Sequence, residues 1–285
     1  MLQLSVMDNA HDALARALAD GFARLDQVMA VALGGSHQTG LADSISDIDL
    51  YVYTQGPVAV ETRANLVAEA GEADRADLGL SYWGPSDAWI HAPTGIEVDV
   101  VYFDTTWMED QIARVVERHE AGEGYSYSTC FWHTLRNGLP LADGRGWLAA
   151  LRGRGACDYP EPLRRNIFTR NHPLLRGVLP AYAGQIEKAV RRRDWVSVNH
   201  RLAALLASYF DILFAVNRQL HPGEKRLMAQ ARRLCAILPE CFESDLSAVL
   251  AQTCDDTLPA SIERLLDHLD QSLVQQGFDV LYSCS

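Results

Sequence analysis

The sequence predicts an α+β fold, in which a mixed β-sheet domain flanked by helices (residues 1–157) precedes an all-α helical-bundle domain (residues 158–285). Up to residue 157, short apolar runs bounded by glycine or proline alternate with segments of helical spacing. After the segment 159-YPEP-162 only helical spacing recurs, interrupted by prolines. The length of 285 residues accommodates two domains of ordinary size.

The predicted first domain begins with an amphipathic helix over residues 10–26, where Leu14, Leu18 and Phe22 recur at helical spacing. The apolar run Val28–Leu33 ends at two glycines, which predicts a buried strand followed by a tight turn. The same reasoning predicts strands over residues 47–53, 78–83 and 96–103, and helices over residues 59–70, 106–120 and 127–136.

The predicted second domain consists of helices alone. Apolar residues recur at helical spacing, and prolines mark most of the breaks between the helices. We predict helices over residues 162–171, 174–192, 195–219, 223–237, 243–253 and 259–276.

Charge and composition argue against several classes of protein. The net charge of −12 disfavours a nucleic-acid partner, which usually requires a basic surface, and suits either solubility or a cationic substrate. No apolar run approaches the about 20 residues of a membrane helix, and the acidic N-terminal segment lacks the basic start of a secretion signal. The six cysteines form no CxxC pair and no cluster with histidine, so we expect a reduced, cytoplasmic chain without structural zinc.

The second predicted strand, 47-DIDLYVY-53, carries two aspartates in an otherwise apolar run. Because residues two apart in a strand point to the same face, Asp47 and Asp49 share one face, and Ile48 and Leu50 share the other. Ionised carboxylates placed side by side are costly to desolvate unless a cation lies between them. Carboxylate oxygens suit Mg²⁺, which binds through one or two carboxylates together with substrate phosphates.

A later strand, within 95-GIEVDVVYF-103, alternates the acids Glu97 and Asp99 with apolar residues. If it pairs beside the second strand, Asp99 completes a cluster of three carboxylates with Asp47 and Asp49. Such a cluster can hold two Mg²⁺ ions, which clamp the attacking and leaving oxygens of an in-line phosphoryl displacement. A solvent-exposed acid without a function is the ordinary alternative for Glu97.

The segment Gly34-Gly35-Ser36 follows the first predicted strand. Glycine lets the backbone approach a phosphate closely, and N–H groups at the start of a helix favour anions. Ser36 adds a hydroxyl donor, so we expect Gly35 and Ser36 to bind nucleotide phosphates. Each of these patterns alone is common in turns and strands without function, whereas their ordered combination is specific.

In that order and spacing, 34-GGSHQTGLADSISDIDLYVY-53 and the later 96-IEVDVVYF-103 resemble the nucleotidyltransferase superfamily that includes DNA polymerase β and the antibiotic nucleotidyltransferases. The helical second domain also resembles the arrangement in aminoglycoside and lincosamide nucleotidyltransferases. The resemblance implies a mixed sheet with metal-binding aspartates and a helical domain facing it across a cleft. It further implies transfer of a nucleoside monophosphate from an NTP, with release of pyrophosphate.

The residues that match the family's motif by position are Gly35 and Ser36 for its Gly-Ser, Asp47 and Asp49 for its paired aspartates, and Asp99 for its third carboxylate. The resemblance implies that the paired aspartates hold Mg²⁺ on the triphosphate, while Asp99 holds a second ion near the acceptor hydroxyl. We expect Asp99, or Glu97 beside it, to act as general base.

In the predicted second domain, 217-NRQLHPGEKRLM-228 joins two helices. Its Pro-Gly turn and Glu224 are typical of a helix end followed by a helix start. Because only two of the 25 basic residues are lysines, we also consider that Lys225, or Arg226 beside it, binds the triphosphate. On the preceding helix, candidates for an acceptor site are Asn199, His200, Tyr209 and Asp211.

We expect the acceptor to be the hydroxyl of a small molecule, with antibiotics among the candidates. The transferred group would be AMP from ATP. The acidic balance allows a cationic aminoglycoside. The alternatives are AMP transfer to a protein, as nucleotidyltransferase antitoxins carry out, and a nucleotide-sensing module without turnover. A DxD glycosyltransferase would leave Gly35, Ser36 and Asp99 unexplained. We expect neither nucleic acid nor a membrane as a partner, and a homo-oligomer is allowed.

Overall fold

The computed structural model describes residues 2–34, 47–82 and 84–280. The chain divides into two compact units: the sheet unit (residues 1–113 and 134–157) and the helical unit (residues 114–133 and 158–285). The predicted α+β class is confirmed, because a mixed sheet flanked by helices is followed by helices alone. The change in character after residue 157 was predicted, whereas the inclusion of residues 114–133 in the helical unit was not.

The elements before residue 157 are α1 (Leu2–Ala23), β1 (Val28–Leu33), β2 (Ile48–Thr54), α2 (Val60–Ala70), β3 (Ala73–Leu80), β4 (Ser86–His91), β5 (Glu97–Asp104), α3 (Thr105–Val116), α4 (Cys130–Asn137), β6 (Leu139–Ala142) and α5 (Trp147–Arg154). Those after it are α6 (Glu161–His172), a π-helical turn (Pro173–Gly177), α7 (Tyr182–Arg191), α8 (Trp195–Val216), α9 (Leu227–Leu234), α10 (Phe242–Ala251) and α11 (Leu258–Gln275). No helix in these described ranges is both long and apolar enough to span a membrane.

The six strands form one sheet in the order β3-β4-β5-β2-β1-β6. Strands β2 and β5 pair in parallel at its centre, and the other pairings are antiparallel. One face of the sheet, the core face, buries Leu50 and Val100 against Leu18 and Phe22 of α1. The alternation of β2 and β5 therefore turns their acids to the opposite face, which we call the acidic face.

Asp87 of β4 is a buried acid on the core face, in register with Val100 of β5. Its carboxylate accepts hydrogen bonds from Arg63 Nη1, the amide of Gly79 and the hydroxyl of Tyr102, each at 2.7 Å. Burial, and then the negative charge of Asp87, raises the pKa of Tyr102. A buried carboxylate is tolerated here because a cation and two neutral donors surround it.

The sequence misplaced or missed three strands. Strand β3 begins at Ala73, five residues before the predicted start, because its side chains are mostly exposed and show no apolar alternation. Strand β4 was missed because two of its three buried side chains, Asp87 and His91, are polar. Strand β6 is four residues long and contains Pro140, which an edge strand tolerates because it need not donate on both sides.

The helices of the sheet unit were mostly predicted, but the short α5 was missed. Its sequence lies between glycine-rich segments, and only Leu148 and Leu151 give it a buried face. Two glycines within and next to it, Gly153 and Gly155, weaken the helical pattern on which the prediction depended.

In the helical unit, α8 packs against α6 and α7, and α11 packs against α7 and α10. The predicted helix over residues 174–192 is divided into a π-helical turn and α7, with Pro180 between them. The predicted helix start at residue 223 is wrong, because α9 begins at Leu227. Gly223 and Arg226 have left-handed φ angles of 96° and 56°, which an α-helix excludes.

Candidate functional site

Asp49 of β2 and Asp99 of β5 lie next to each other on the acidic face. The parallel register pairs Asp49 with Asp99, and both residues are half-buried. Because paired residues of neighbouring strands lie about 5 Å apart and point to the same side, the two side chains are neighbours. The sheet thus joins two acids that are fifty residues apart in the sequence.

Asp47 and Glu97 stand at the start of the same two strands. Asp47 precedes the first residue of β2, and Glu97 is the first residue of β5. Each is two residues before a member of the central pair, so the strand period places it towards the same face. Glu97 is exposed and Asp47 half-buried.

Small residues flank the central pair on both sides. Ala88 of β4 is the register partner of Asp99. On the other side, the amide of Gly34 donates a hydrogen bond to the carbonyl of Asp49 at 2.7 Å, which extends the pairing of β1 with β2 by one residue. The row Gly34–Asp49–Asp99–Ala88 therefore presents two carboxylates between residues with little or no side chain.

Aromatic rings cover the acidic face beyond the carboxylates. The rings of Tyr51 and Tyr53 lie 5.7 and 5.9 Å from that of Phe103, and Trp107 stacks on Phe103 at 5.7 Å with 5° between the planes. Trp147 of α5 contacts Tyr53 at 5.2 Å. Along one face the character changes from acidic at the start of the central strands to aromatic at their end.

The predicted site residues are only partly brought together by the described structure. Asp49 and Asp99 adjoin, whereas within residues 2–34, 47–82 and 84–280 no group of three or more His, Cys, Asp or Glu side chains is arranged to hold a metal ion. Gly35 and Ser36 lie outside the described residues. The metal roles of Asp47, Asp49 and Asp99, and the general-base role of Asp99 or Glu97, stay predictions.

Lys225 lies in the helical unit, exposed, in the loop before α9. The sequence predicted that Lys225 lies in the first turn of a helix, but α9 begins two residues after it. A role in nucleotide binding stays a prediction.

The polar residues of α8 fall into two groups. Asn199 and His200 are exposed, whereas Tyr209 and Asp211 are buried. Asp211 accepts hydrogen bonds from the amide and hydroxyl of Ser128, at 3.1 and 2.6 Å. It therefore ties residue 128 to α8 within the helical unit.

Of the two flanking positions, Gly34 was part of the predicted Gly34-Gly35-Ser36 segment, but its place beside Asp49 was not predicted. Ala88 was missed, because the strand that carries it was not predicted.

Comparison with known proteins identifies the family to which part of the sheet unit is similar. Residues 15–83 match the family model described as nucleotidyltransferase domain. The match spans α1 to β3 and includes Asp47 and Asp49, but it ends before Asp99, which the strand register alone places at the site. Part of the sheet unit is thus similar to a nucleotidyltransferase domain, which supports nucleotidyl transfer as the general class of reaction.

A solved structure with an overall likeness is a nucleotidyltransferase-like protein from Exiguobacterium sibiricum 255-15. It is 14% identical over 93% of this chain and 74% of its own, with a TM-score of 0.40, a level at which no residue can be transferred. No curated protein sequence matches the chain.

Proposed function

We propose that the protein is a Mg²⁺-dependent nucleotidyltransferase that moves a nucleoside monophosphate, AMP from ATP in the first instance, to a hydroxyl of a small molecule. The observation that carries the proposal is the parallel register of Asp49 with Asp99 on the acidic face. The matched domain supplies the class of reaction. The register adds the second carboxylate, which lies outside the matched residues.

The residues of the acidic face fit divalent ions. Half-buried carboxylates supply the hard oxygen ligands that Mg²⁺ prefers, and the ion usually takes one or two of them together with substrate phosphates. The small side chain of Ala88 leaves room beside Asp99 for an ion and a phosphate chain. We assign Asp47 and Asp49 to an ion on the triphosphate and Asp99 to a second one. When bound, these ions would neutralise charge on the leaving pyrophosphate.

The remaining groups position the reactants and accept a proton. The carboxylate of Asp99, or of Glu97, accepts the proton of the acceptor hydroxyl as that oxygen attacks the α-phosphorus. The Gly35 amide and the Ser36 hydroxyl hold the phosphates that leave, as the family motif implies. Catalysis then comes mainly from positioning and electrostatics.

The compound classes that antibiotic nucleotidyltransferases modify are the first acceptors to examine. The net charge of −12 suits a cationic compound, so aminoglycosides belong in the first panel, with lincosamides and hydroxylated metabolites beside them. A protein acceptor is the second candidate class.

The test is incubation of the protein with each labelled NTP, Mg²⁺ and this panel, followed by mass spectrometry. We expect a nucleoside-monophosphate adduct on one compound, with an equal amount of pyrophosphate released. An adduct only on a co-purifying protein would replace the small-molecule acceptor by a protein. Nucleotide binding without pyrophosphate release under any condition would favour a sensing module instead.

A further inference from the structure

Tyr51 and Gly34 form a contact that neither the family motif nor the proposed roles explain. They lie diagonally across β1 and β2: Ala32 is the register partner of Tyr51, and Gly34 is two residues further along β1. A Cβ atom added to Gly34 would lie 2.3 Å from Cε2, 2.4 Å from Cζ and 2.7 Å from the hydroxyl of Tyr51. The aromatic ring thus occupies the space of the missing side chain.

Glycine is required at position 34 for space and not for backbone conformation. Its φ angle lies outside the left-handed region, so the backbone there would accept any L-residue. The clash falls on the hydroxyl end of the Tyr51 ring, and the packing of that ring against Phe103 at 5.7 Å restrains it from moving away. The two residues therefore depend on each other.

The contact lies between the two parts of the proposed site. Gly34 donates its amide hydrogen bond to the carbonyl of Asp49 at 2.7 Å, and the chain continues from Gly34 directly into Gly35 and Ser36. Tyr51 follows Asp49 by two residues on the same face of β2. On its other side the ring of Tyr51 packs against Phe103 of β5, two strand positions along from Val101.

We propose that Tyr51 is a positioning residue, which presses on Gly34 from the acidic face and so fixes the position of Gly34, the residue that precedes the predicted phosphate-binding residues Gly35 and Ser36 in the sequence. Tyr51 thereby holds Gly34 at a set distance from Asp49. The protein groups that we propose to bind the two ends of one triphosphate then keep their spacing. The inference rests on the proposed function, since it assigns a nucleotide to this face.

Four variants test the contact: Gly34→Ala, Tyr51→Ala, the double variant Gly34→Ala with Tyr51→Ala, and Tyr51→Phe. The measured quantity is the Kd of ATP with a methylene bridge between its α- and β-phosphorus atoms, in the presence of Mg²⁺, so that neither turnover nor an acceptor is needed. The melting temperature of each variant is recorded in the same buffer.

We expect Gly34→Ala to raise the Kd at least about tenfold, because the added methyl group displaces either the ring or the start of the phosphate segment, and such contacts are sensitive to displacements of about 1 Å. Tyr51→Ala alone should raise it less, by removing the support. The double variant should bind more tightly than Gly34→Ala, because the clash is gone. Tyr51→Phe keeps the ring atoms nearest to Gly34 and should recover most of the affinity that Tyr51→Ala loses.

Gly144→Ala is the matched control, since it makes the same change in the sheet unit at a position where an added Cβ meets nothing within 4 Å. Its Kd should equal that of the unchanged protein. If Gly34→Ala fails to fold, the role of Tyr51 is tested by comparing the Kd values of Tyr51→Ala and Tyr51→Phe, provided that the two variants have equal melting temperatures.

Equal Kd values for Tyr51→Ala and Tyr51→Phe, or a double variant no better than Gly34→Ala, would overturn the role of Tyr51 while leaving the proposed function intact. If the unchanged protein binds no Mg²⁺-nucleotide with any of the four bases, the proposed function fails, and the inference fails with it.

Discussion

The two faces of the sheet treat their acids in opposite ways. On the core face Asp87 is buried, and its carboxylate meets the guanidinium of Arg63 and two further donors. On the acidic face Asp49 and Asp99 are half-buried, and the residue paired with each is another acid. Asp87 is matched by a cation within the protein, whereas the strand register places Asp49 and Asp99 next to each other.

This difference separates an acid whose partners belong to the fold from the acids that we propose as metal ligands. A carboxylate matched by a cation and hydrogen-bond donors has its requirements met in the folded chain. Two carboxylates forced side by side by strand register gain from an added divalent ion. The comparison therefore predicts that changes on the acidic face alter activity, and that changes at Asp87 alter stability.

The largest expected effect is the loss of transfer on replacing Asp49 or Asp99 by asparagine. Because one charge of the pair is removed without a change of shape, we expect a loss of the order of 10³-fold in pyrophosphate release, with an unchanged or raised melting temperature. Asp104→Asn at the other end of β5 is the control, since asparagine keeps its hydrogen bond to the amide of Trp107. Transfer retained by Asp49→Asn would remove the metal assignment.

On the core face, Asp87→Asn should destabilise the protein by about 3–5 kcal/mol, because it leaves the buried charge of Arg63 without its counter-ion. The measurement is the free energy of unfolding in urea. Asp77→Asn in the neighbouring strand is the matched control, because its ion pair with Arg75 is exposed and such pairs contribute about 0–1 kcal/mol. Similar losses for the two variants would contradict the contrast between the faces.

A fourth acid extends the comparison, because Asp211 is buried in the helical unit with hydrogen bonds from Ser128 and Asn171 in place of a cation. Burial raises the pKa of Asp211 from 3.8 to about 7, and the hydrogen bonds from Ser128 oppose this only in part. The folded state then holds a proton that the unfolded state releases between pH 4 and pH 7, so the contribution of Asp211 to stability falls as the pH rises through that range.

Asp211→Asn cannot titrate and should lose this pH dependence. We expect the unfolding free energy of the unchanged protein to decline relative to that of the variant by at most about 1.4 kcal/mol per pH unit between pH 4 and pH 7, and to run parallel above it. Parallel curves over the whole range would show that the carboxylate is ionised throughout.

The smallest expected effect concerns a cation. Arg63 is buried and paired, whereas Lys225 is an exposed lysine in the loop before α9. Lys225→Ala should weaken nucleotide binding by about tenfold or less, which is the scale of one exposed charge–charge contact. Lys188→Ala, on α7, controls for loss of charge. Equal nucleotide Kd values for Lys225→Ala and the unchanged protein would show that Lys225 does not contribute to nucleotide binding.

Much of the fold could be predicted from the sequence, since β1 is a continuous apolar run, β2 and β5 alternate in burial, and α6, α8 and α11 show helical spacing. The failures at β3 and β4 have a common physical cause, whereas β6 was missed because it is short and contains Pro140. In β3 and β4 the pairing of backbone groups and partners such as Arg63 stabilise strands whose side chains carry little apolar signal. Tertiary contacts there outweigh local propensity.

For the site, the order of Gly-Ser, Asp-x-Asp and a later acid predicted nucleotidyl transfer and two neighbouring acidic strands. That β2 and β5 pair with Asp49 opposite Asp99 follows from register, which depends on all the strands together. The contact between Gly34 and Tyr51 depends on a diagonal across two strands and on a ring orientation, neither of which a single sequence specifies.

The parallel pairing at the centre of the sheet also governs how the protein folds. Strands β3, β4 and β5 form a meander of local antiparallel pairs, and β1 with β2 forms another local pair. The meander can form early, because the connections that it closes are short, whereas the connection between β1 and β2 is longer. The seam between β2 and β5 is the non-local step that joins them, and it brings two like charges together. We therefore expect Asp49 and Asp99 to come together late in folding, and divalent ions, if they bind at the proposed site, to speed the last stage of refolding.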